Sequence, residues 1–469
     1  MPFSSLLFIH AFLPAFLLLY WATPRAFKNH TAIFGSLVFY AWGAPRFLPV
    51  VVGLGVVDYA LSHRIAATAP GRAKKLLLGT GVTLHLSILA YFKYSNFFVG
   101  ELNGMLEAFG MTGVASTQVV LPIGVSFITF EEISYLCDVY RGDAEPARRL
   151  SHYMLFLTLF PHSIAGPIFR WKDLEAQLRD RPYSSHLLEG FERFSLGLAK
   201  KVLVADTVAI PADIAFAATA EQLTPEVAWI GALAYTLQIY FDFSGYSDMA
   251  IGLGKMLGFS FKENFNQPYV SSSLTEFWSR WHISLSNWLR DYLYIPLGGN
   301  RRGPRRAIMN LFIVFTLSGL WHGPAWTFIA WGAFHGTFVA SERILGARRD
   351  RLPLALRHVL TLLLVVVGWV LFRAESLGHA GRMMAAMADI ASDTAVAPMR
   401  ADFTPDYVIV ALAFGALATA WAIAQKYRPT SFGVLERSIV PRLGYVLLLV
   451  FSVIHLTNMR TTPLIYFKF

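Results

Sequence analysis

Long apolar runs recur along this chain, and they constrain its fold more than any other feature of the sequence. A helix needs about twenty apolar residues to cross the roughly 30 Å of hydrocarbon in a bilayer. Proline, glycine and basic residues interrupt the runs, which is typical of membrane spans joined by loops. We therefore predict an all-α fold, a polytopic transmembrane helical bundle of about ten to twelve crossings with re-entrant or interfacial helices. The predicted spans are Phe3–Trp21, Ile33–Trp42, Leu48–Leu61, Leu76–Phe98, Val119–Tyr140, Phe194–Ala217, Val227–Tyr240, Ala307–Trp321, Ala325–Val339, Val359–Phe372, Tyr407–Ala424 and Arg442–Leu456.

Composition and charge exclude several classes of protein. With 55% hydrophobic and 15% charged residues, the chain is too apolar for an ordinary soluble domain. The 40 Lys and Arg residues outnumber the 30 Asp and Glu residues, and we expect this excess in cytoplasmic loops facing anionic lipid. The basic residues punctuate the spans and form no single stripe, so no nucleic-acid partner is expected. One cysteine, Cys137, excludes an internal disulfide and a multi-cysteine metal site, and we predict no bound metal.

The chain contains no stretch that resembles a separate soluble domain. We predict a single integral-membrane domain over residues 1–469, with the motifs that carry chemistry within about 120–340. Residues 355–469 are predicted to form C-terminal transmembrane helices with a packing role.

His322 closes an apolar run, within Leu317–Gly323, just before Pro324. The run starts at the basic cluster Arg301–Arg306, on the cytoplasmic side by charge, and climbs roughly 20 to 24 Å before the histidine. Gly323 and Pro324 end the helix, so we expect His322 at the apex of a hairpin deep in the membrane. A titratable ring there is costly. It is either the centre of the chemistry or a structural histidine that donates to a backbone carbonyl.

A second histidine lies in Leu274–Tyr292, which has the pattern of an amphipathic helix. His282 falls inside its apolar arc, so its ring is predicted to point into the membrane or the protein. Flanking basic residues favour a helix at the cytoplasmic interface. An interfacial helix with aromatic anchors is also a common structural feature without chemistry.

Several carboxylates interrupt apolar stretches. Glu131, Glu132 and Asp138 fall in one predicted span, and Asp242 and Asp248 follow another. Exposure to lipid is expensive, so these groups are expected to line a polar cavity or to pair with arginines. His162, His335 and Cys137 are further candidates for chemistry, although a lone cysteine in an apolar helix usually packs.

Several long motifs together resemble the membrane-bound O-acyltransferase family, in its bacterial branch. That branch includes the membrane subunit of alginate O-acetylation and the exporter of acyl groups for teichoic-acid D-alanylation. The motifs are Asn266–Tyr269, Glu276–Ser286, Trp288–Asn300 and Gly319–Gly323, with support from Phe160–Pro167 and Asp242–Asp248.

This resemblance implies roles for particular residues. The histidine matching His322 is regarded as catalytic in the family, and the one matching His282 is its second signature histidine. We predict that both are catalytic: His322 takes the acceptor proton, and His282 holds the donor or helps from the cytoplasmic side. The implied donor is acetyl-CoA or another acyl thioester, with no permanently bound cofactor. The residues implied for donor binding are Arg280, Trp281, Asn287, Arg290 and Asp291. Those implied for the substrate tunnel are Glu131, Asp242, Ser244, Tyr246, Asp248, Trp321 and His335.

The chemistry suits that resemblance. Transfer from a thioester to an alcohol needs a base and stabilisation of an oxyanion, and a neutral imidazole is a good base near pH 7. We expect a multi-pass protein of the bacterial inner membrane that moves acetyl from cytoplasmic acetyl-CoA to an extracytoplasmic polysaccharide such as alginate, with His322 as general base. Expected partners are membrane lipids, acyl-CoA, and either the polysaccharide or a periplasmic acetyltransferase. A polytopic transporter and a non-catalytic scaffold of an envelope polysaccharide complex are the alternatives.

Overall fold

The structure is a computed structural model that describes residues 1–115, 118–163, 166–182, 186–389 and 439–458, with positions 409, 412, 413 and 415. Within those residues the regular secondary structure is helical throughout, which confirms the predicted all-α fold. The predicted span Tyr407–Ala424 lies outside the described residues apart from the four isolated positions.

The chain forms two compact units. The first comprises Met1–Leu187 with Leu253–Phe261, and the second comprises Leu188–Gly252 with Lys262–Phe469. The helices that begin in the first unit are α1 Leu13–Ala22, α2 Lys28–Gly43, α3 Leu48–Ala67, α4 Arg72–Ala108, α5 Val125–Arg141, α6 Leu150–Thr158, α7 Phe160–Ser163, α8 Trp171–Arg179 and α9 Leu187–Ala199.

Most of α9 belongs to the second unit, which contains the predicted catalytic histidines. The remaining described helices are α10 Asp206–Phe216, α11 Pro225–Met256, α12 Leu274–Arg280, α13 Ile283–Leu289, α14 Pro304–His322, α15 Trp326–Leu345, α16 Leu354–Arg373, α17 Leu377–Ala388 and α18 Ile439–Asn458.

Three stretches of described chain are long and apolar enough to cross a bilayer: Pro45–Ala67, Arg72–Ala108 and Leu354–Arg373. Two shorter apolar stretches occupy the first and last of the predicted spans. They are Phe8–Ala22, in which the π-helical turn Phe8–Phe12 precedes α1, and Arg442–Thr457 within α18. Many of their leucine, valine and phenylalanine side chains are exposed, as expected of helices that face lipid. The protein is therefore an all-α, polytopic membrane protein.

The hairpin predicted around His322 is present. Helix α14 ends at His322, and α15 starts three residues after Gly323, at Trp326. A β-carbon on Gly319 would collide with the carbonyl oxygen of Phe328, and one on Gly332 with the carbonyl oxygen of Phe315. Small residues let helix backbones approach in this way, so the two glycines hold the arms of the hairpin tightly together.

The predicted amphipathic helix Leu274–Tyr292 is not continuous. Helix α12 ends at Arg280 and α13 starts at Ile283, with His282 between them in the left-handed region at φ 45° and ψ 55°. Hydrogen bonds to a preceding loop replace those of the helix: the Ile283 N–H donates to the Asn264 carbonyl at 2.9 Å, and the Asn266 N–H donates to the Arg280 carbonyl at 2.9 Å. The apolar positions are buried on both sides of this break: Leu274 and Phe277 in α12, and Leu285 and Trp288 in α13.

Candidate active site

His322 lies in an aromatic environment at the end of α14. Its ring is edge-on to the indole of Trp331 in α15, with centroids 5.1 Å apart, and to Phe372 in α16 at 5.2 Å. The ring of Trp321 lies 5.0 Å away. With 6% of its surface exposed, His322 is enclosed by groups that exclude bulk water. Three helices therefore fix the position of one imidazole.

His335 lies one ring further along the same cluster. Its centroid is 5.0 Å from Trp278 in α12 and 5.0 Å from Trp331, and a β-carbon on Gly368 would lie 2.5 Å from its Nε2. Neither ring nitrogen of His335 has a hydrogen-bond partner among the described residues, and the same holds for the indole nitrogens of Trp278 and Trp331. Buried polar groups are nearly always satisfied in folded proteins. This group of nitrogens is therefore suited to receive a polar substrate or water.

A continuous set of aromatic rings connects the two predicted catalytic histidines. Phe372 contacts His322 and lies 5.8 Å from Trp369, and Trp369 lies 4.8 Å from Trp281. From Trp281 the ring contacts continue at 5.0 Å to Phe265 and at 5.0 Å to Phe243, which lies 4.7 Å from the ring of His282. We call Phe277, Trp278, Trp281, Trp331, Trp369 and Phe372 the aromatic layer. It brings α12, α14, α15 and α16 to one place, although the sequence separates them by up to about a hundred residues.

His282 is buried at 1% exposure. Its ring is edge-on to Phe243 of α11 at 4.7 Å, and its Nδ1 lies 3.2 Å from Oδ1 of Asn264. Burial lowers the pKa of this histidine, which lies between two short helices and outside the spanning helices, to about 3. The ring is therefore neutral at physiological pH.

The residues predicted to bind the donor surround the same break. Trp281 is buried in the aromatic layer at 2% exposure. Arg280 is held by Glu276 at 3.0 Å and by the Asn266 carbonyl at 3.1 Å. Arg290 and Asp291 form an ion pair at 2.7 Å in which the arginine is 57% exposed. Asn287 is partly exposed on α13. Arg290 is thus the most accessible cation of this set.

The residues predicted for the tunnel on α11 are buried beside lysines and an arginine. Asp242 lies 2.6 Å from the Lys201 ammonium, and Asp248 lies 2.6 Å from Lys200 and 2.7 Å from Arg193. Asp242 and Asp248 therefore act as partners of cations, one of the two possibilities that their sequence setting leaves open. The neighbouring side chains Ser244 and Tyr246 are buried at 2% and 4% exposure.

The first unit contains its own buried acid–base pairs. Nδ1 of His162 lies 3.0 Å from Oε1 of Glu131, and the Asp138 carboxylate lies 3.0 Å from Lys172. His85 lies between two carboxylates, with Nε2 2.9 Å from Asp58 and Nδ1 2.9 Å from Glu132. The carboxylates Glu131, Glu132 and Asp138 are therefore paired with two histidines and a lysine, and not with the arginines that the sequence suggested as one possibility.

Asp58, His85 and Glu132 can each offer one metal-ligand atom within 4.8 Å of the others. Both ring nitrogens of His85 already face a carboxylate, however, and the Tyr153 hydroxyl donates to the second oxygen of Asp58 at 3.1 Å. A metal would have to displace one of these contacts. The arrangement is that of an imidazole bridging two acids across α3, α4 and α5.

Sequence reasoning missed three residues that the structure makes prominent. Asn264 contacts His282 from a segment without helical periodicity, and Trp331 and Phe372 enclose His322. The signal available for Asn264 was its place two residues before the motif Asn266–Tyr269. Aromatic residues are too common in membrane spans for Trp331 and Phe372 to stand out.

Comparison with known proteins places these residues in a family context. Residues 148–376 match the model of the membrane-bound O-acyltransferase family. The whole chain aligns at 46% identity with the whole of the probable alginate O-acetylase AlgI of Pseudomonas putida. It is 52% identical to the protein of that name from Pseudomonas aeruginosa over 82% of this chain and 75% of the relative. A peptidoglycan O-acetyltransferase of Helicobacter pylori is 36% identical over 82% of this chain and 79% of the relative.

Proposed function

Because the chain belongs to the membrane-bound O-acyltransferase family and is an O-acyltransferase, we propose that it transfers acetyl from cytoplasmic acetyl-CoA to an extracytoplasmic polysaccharide, with His322 as the general base. The polysaccharide is alginate or a close relative of it. The proposed location is the inner membrane of a bacterium.

The position of His322 carries this proposal. The ring closes a 19-residue helix, about 28 Å long at 1.5 Å per residue, that begins beside exposed arginines at 301, 302 and 305. A helix of that length covers most of the hydrocarbon thickness of a bilayer. A donor that enters at the basic end and an acceptor that enters from the opposite face can therefore meet near this imidazole.

The proposed reaction is a direct acyl transfer. A neutral nitrogen of His322 takes the proton of the acceptor hydroxyl while the oxygen attacks the thioester carbonyl. The carbon–sulfur bond of the resulting tetrahedral species breaks, and the imidazolium returns the proton to the departing thiolate. The acetyl ester and the free thiol account for every atom of the reactants. A well-placed general base accounts for about 10²- to 10⁴-fold of rate in such a step.

Contacts around His322 support the remaining requirements of this reaction. Burial among Trp331 and Phe372 keeps water from competing with the acceptor hydroxyl. The indole N–H of Trp331 and the nitrogens of His335 are buried without partners among the described residues, so they can bind polar atoms of the acceptor or of the oxyanion.

His282 is proposed to hold the donor on the cytoplasmic side of the aromatic layer. Arg290 and the exposed arginines 301 and 302 lie on the chain between His282 and α14, and the exposed Arg305 lies in the first turn of α14. These cations can attract the phosphates of coenzyme A. Arg280, Trp281, Asn287 and Asp291 complete the proposed donor site.

The relatives support the choice of acceptor. Full-length identity of 46% to a probable alginate O-acetylase exceeds the 36% identity to a peptidoglycan O-acetyltransferase. Acetyl either passes directly to the polymer or is first handed to a periplasmic acetyltransferase partner.

Two measurements test this function. In a strain that lacks the gene, O-acetyl groups on the exported polysaccharide should disappear and return with the wild-type copy. Purified protein should release free thiol from radiolabelled acetyl-CoA when acceptor oligosaccharide is added, with or without the periplasmic partner. A transporter or a scaffold would leave the thioester intact in every one of these mixtures, and that result would overturn the proposal.

A further inference from the structure

Asn264 is buried completely and contacts His282 and the two residues that follow it. Its backbone carbonyl accepts the N–H of Ile283 at 2.9 Å. Its side-chain Oδ1 lies 3.2 Å from Nδ1 of His282, and its Nδ2 donates to the Ser247 hydroxyl of α11 at 3.3 Å. One asparagine therefore ties the histidine to the long helix α11.

The orientation of the Asn264 amide follows from its neighbours. The backbone N–H of Ser284 donates to the same side-chain atom at 3.1 Å, and the Ser284 hydroxyl lies 2.8 Å from it. A backbone N–H can only donate, so the shared atom must be the amide oxygen. The nitrogen of the amide then faces Ser247.

This orientation determines the tautomer of His282. An amide oxygen only accepts, so Nδ1 of the ring must carry the hydrogen that it donates to Asn264. A neutral imidazole has a single N–H, and the lone pair therefore lies on Nε2. His282 thus presents an acceptor atom, and not a donor, on the side away from Asn264.

The backbone shows that this arrangement is enforced. His282 has a positive φ of 45°, a conformation that costs a non-glycine residue about 1 to 2 kcal/mol. Such residues persist where surrounding contacts hold them, and they concentrate at functional sites. Here Asn264 accepts from the N–H groups of Ile283 and Ser284 after His282, and the N–H of Asn266 donates to the Arg280 carbonyl before it.

We propose that Asn264 is a positioning residue that holds His282 as the Nδ1–H tautomer and aims its Nε2 as a hydrogen-bond acceptor toward the acyl donor. This rests on the proposed function of His282. The acceptor chemistry suits an amide N–H of the pantetheine arm of an acyl-CoA, which would donate to Nε2 and fix the thioester.

The first test needs no activity. The ¹⁵N NMR spectrum of protein with ¹⁵N-labelled histidine rings is compared with that of the equally labelled variant His282→Gln, which lacks this one ring. The signals that are absent from the variant belong to His282. The expected spectrum at pH 7 shows a protonated Nδ1 and an unprotonated Nε2. The opposite tautomer, or a mixture, would overturn the role of Asn264 even if acetyl transfer itself were lost or never observed.

The second test is the pH profile of acetyl transfer. In Asn264→Asp a carboxylate oxygen still accepts the hydrogen bond from Nδ1 of His282, and its negative charge raises the pKa of the ring by about 1 to 3 pH units. The acid limb of the pH profile of kcat/KM should move toward neutrality by the same amount. Asn264→Ala should raise KM for acetyl-CoA about 10-fold without that movement. Ser284→Ala removes a hydroxyl that lies 2.8 Å from the same oxygen and 3.4 Å from Nδ1 of His282, but it leaves the contact between Asn264 and Nδ1 in place. Acetyl transfer by this variant should stay within about twofold of wild type.

An Asn264→Asp protein with the wild-type pH profile would contradict the inference. If Asn264→Asp does not fold, as judged by gel filtration, the ¹⁵N measurement on the wild-type chain still decides the matter. If the wild-type protein transfers no acetyl at all, the proposed function is contradicted. The tautomer of His282 measured by ¹⁵N NMR would be unaffected by that result.

Discussion

The imidazole of His322 meets the indole of Trp331 edge-on, with ring centroids 5.1 Å apart and planes at 87°. The two rings belong to opposite arms of one hairpin, α14 and α15. Close contact between those arms at Gly319 and Gly332 sets their separation. The geometry of the candidate base therefore depends on helix packing one and two turns away from it.

Adding a methyl group at Gly319 tests this dependence. In Gly319→Ala the new β-carbon meets the Phe328 carbonyl oxygen, so the hairpin must open, at a cost of about 1 to 3 kcal/mol. We expect a lower melting temperature together with reduced acetyl transfer. Gly381→Ala is the matched control, since nothing lies within 4 Å of that position in helix α17. There alanine should be neutral or stabilise by up to about 1 kcal/mol, and equal behaviour of the two variants would contradict the packing argument.

His335→Phe separates packing from polarity in the aromatic layer. Phenylalanine keeps an aromatic ring against Trp278 and Trp331 but removes two nitrogens that are buried without partners among the described residues. The melting temperature should not fall, because no hydrogen bond is lost, while kcat/KM for the acceptor should drop about 10-fold or more. His379→Phe, at a ring outside the layer, is the control. Wild-type transfer by His335→Phe would remove His335 from the substrate path.

His85→Ala should destabilise the first unit strongly. The imidazole lies 2.9 Å from both Asp58 and Glu132, and all three side chains are buried completely. Removing it leaves two acids facing each other, which costs about 3 to 5 kcal/mol for a buried network of this kind. Thermal unfolding in detergent measures the loss. Neutralising both acids in the same chain should recover part of it, and the exposed His63→Ala should change little.

Stability should depend on pH through His282. Its pKa is about 3 in the folded protein and about 6.5 in an unfolded chain, so the unfolded state binds the extra proton below pH 6.5. The contribution of the neutral ring to the free energy of unfolding is fully present above pH 6.5. It decreases as the pH falls, by about 2 kcal/mol between pH 6.5 and 5. His282→Asn, which tolerates the left-handed backbone, should show a correspondingly shallower fall in melting temperature. Parallel curves for the two proteins would contradict this account.

The sequence alone predicted the helical class, the hairpin with His322 at its apex, and the family. Those features depend on local periodicity, glycine and proline placement, and long motifs. It did not predict the break at His282, because the competing hydrogen bonds come from Asn264 and Asn266 in a separate loop. It also left open whether Asp242 and Asp248 face substrate or cations. A carboxylate in an apolar stretch of sequence has the same pattern in both cases. Pairing with Lys201, Lys200 and Arg193 depends on how α9 and the π-helical turn Lys200–Ala205 that follows it pack against α11.

The central claim is that His322 is the base for acyl transfer, and the direct measurement is the transfer rate of purified His322→Gln. Glutamine retains a polar side chain in the same space but cannot take a proton at neutral pH. We expect kcat to fall by about 10²-fold or more with a melting temperature close to that of wild type, while His379→Gln keeps its activity. Folded His322→Gln that transfers acetyl at the wild-type rate would contradict the account.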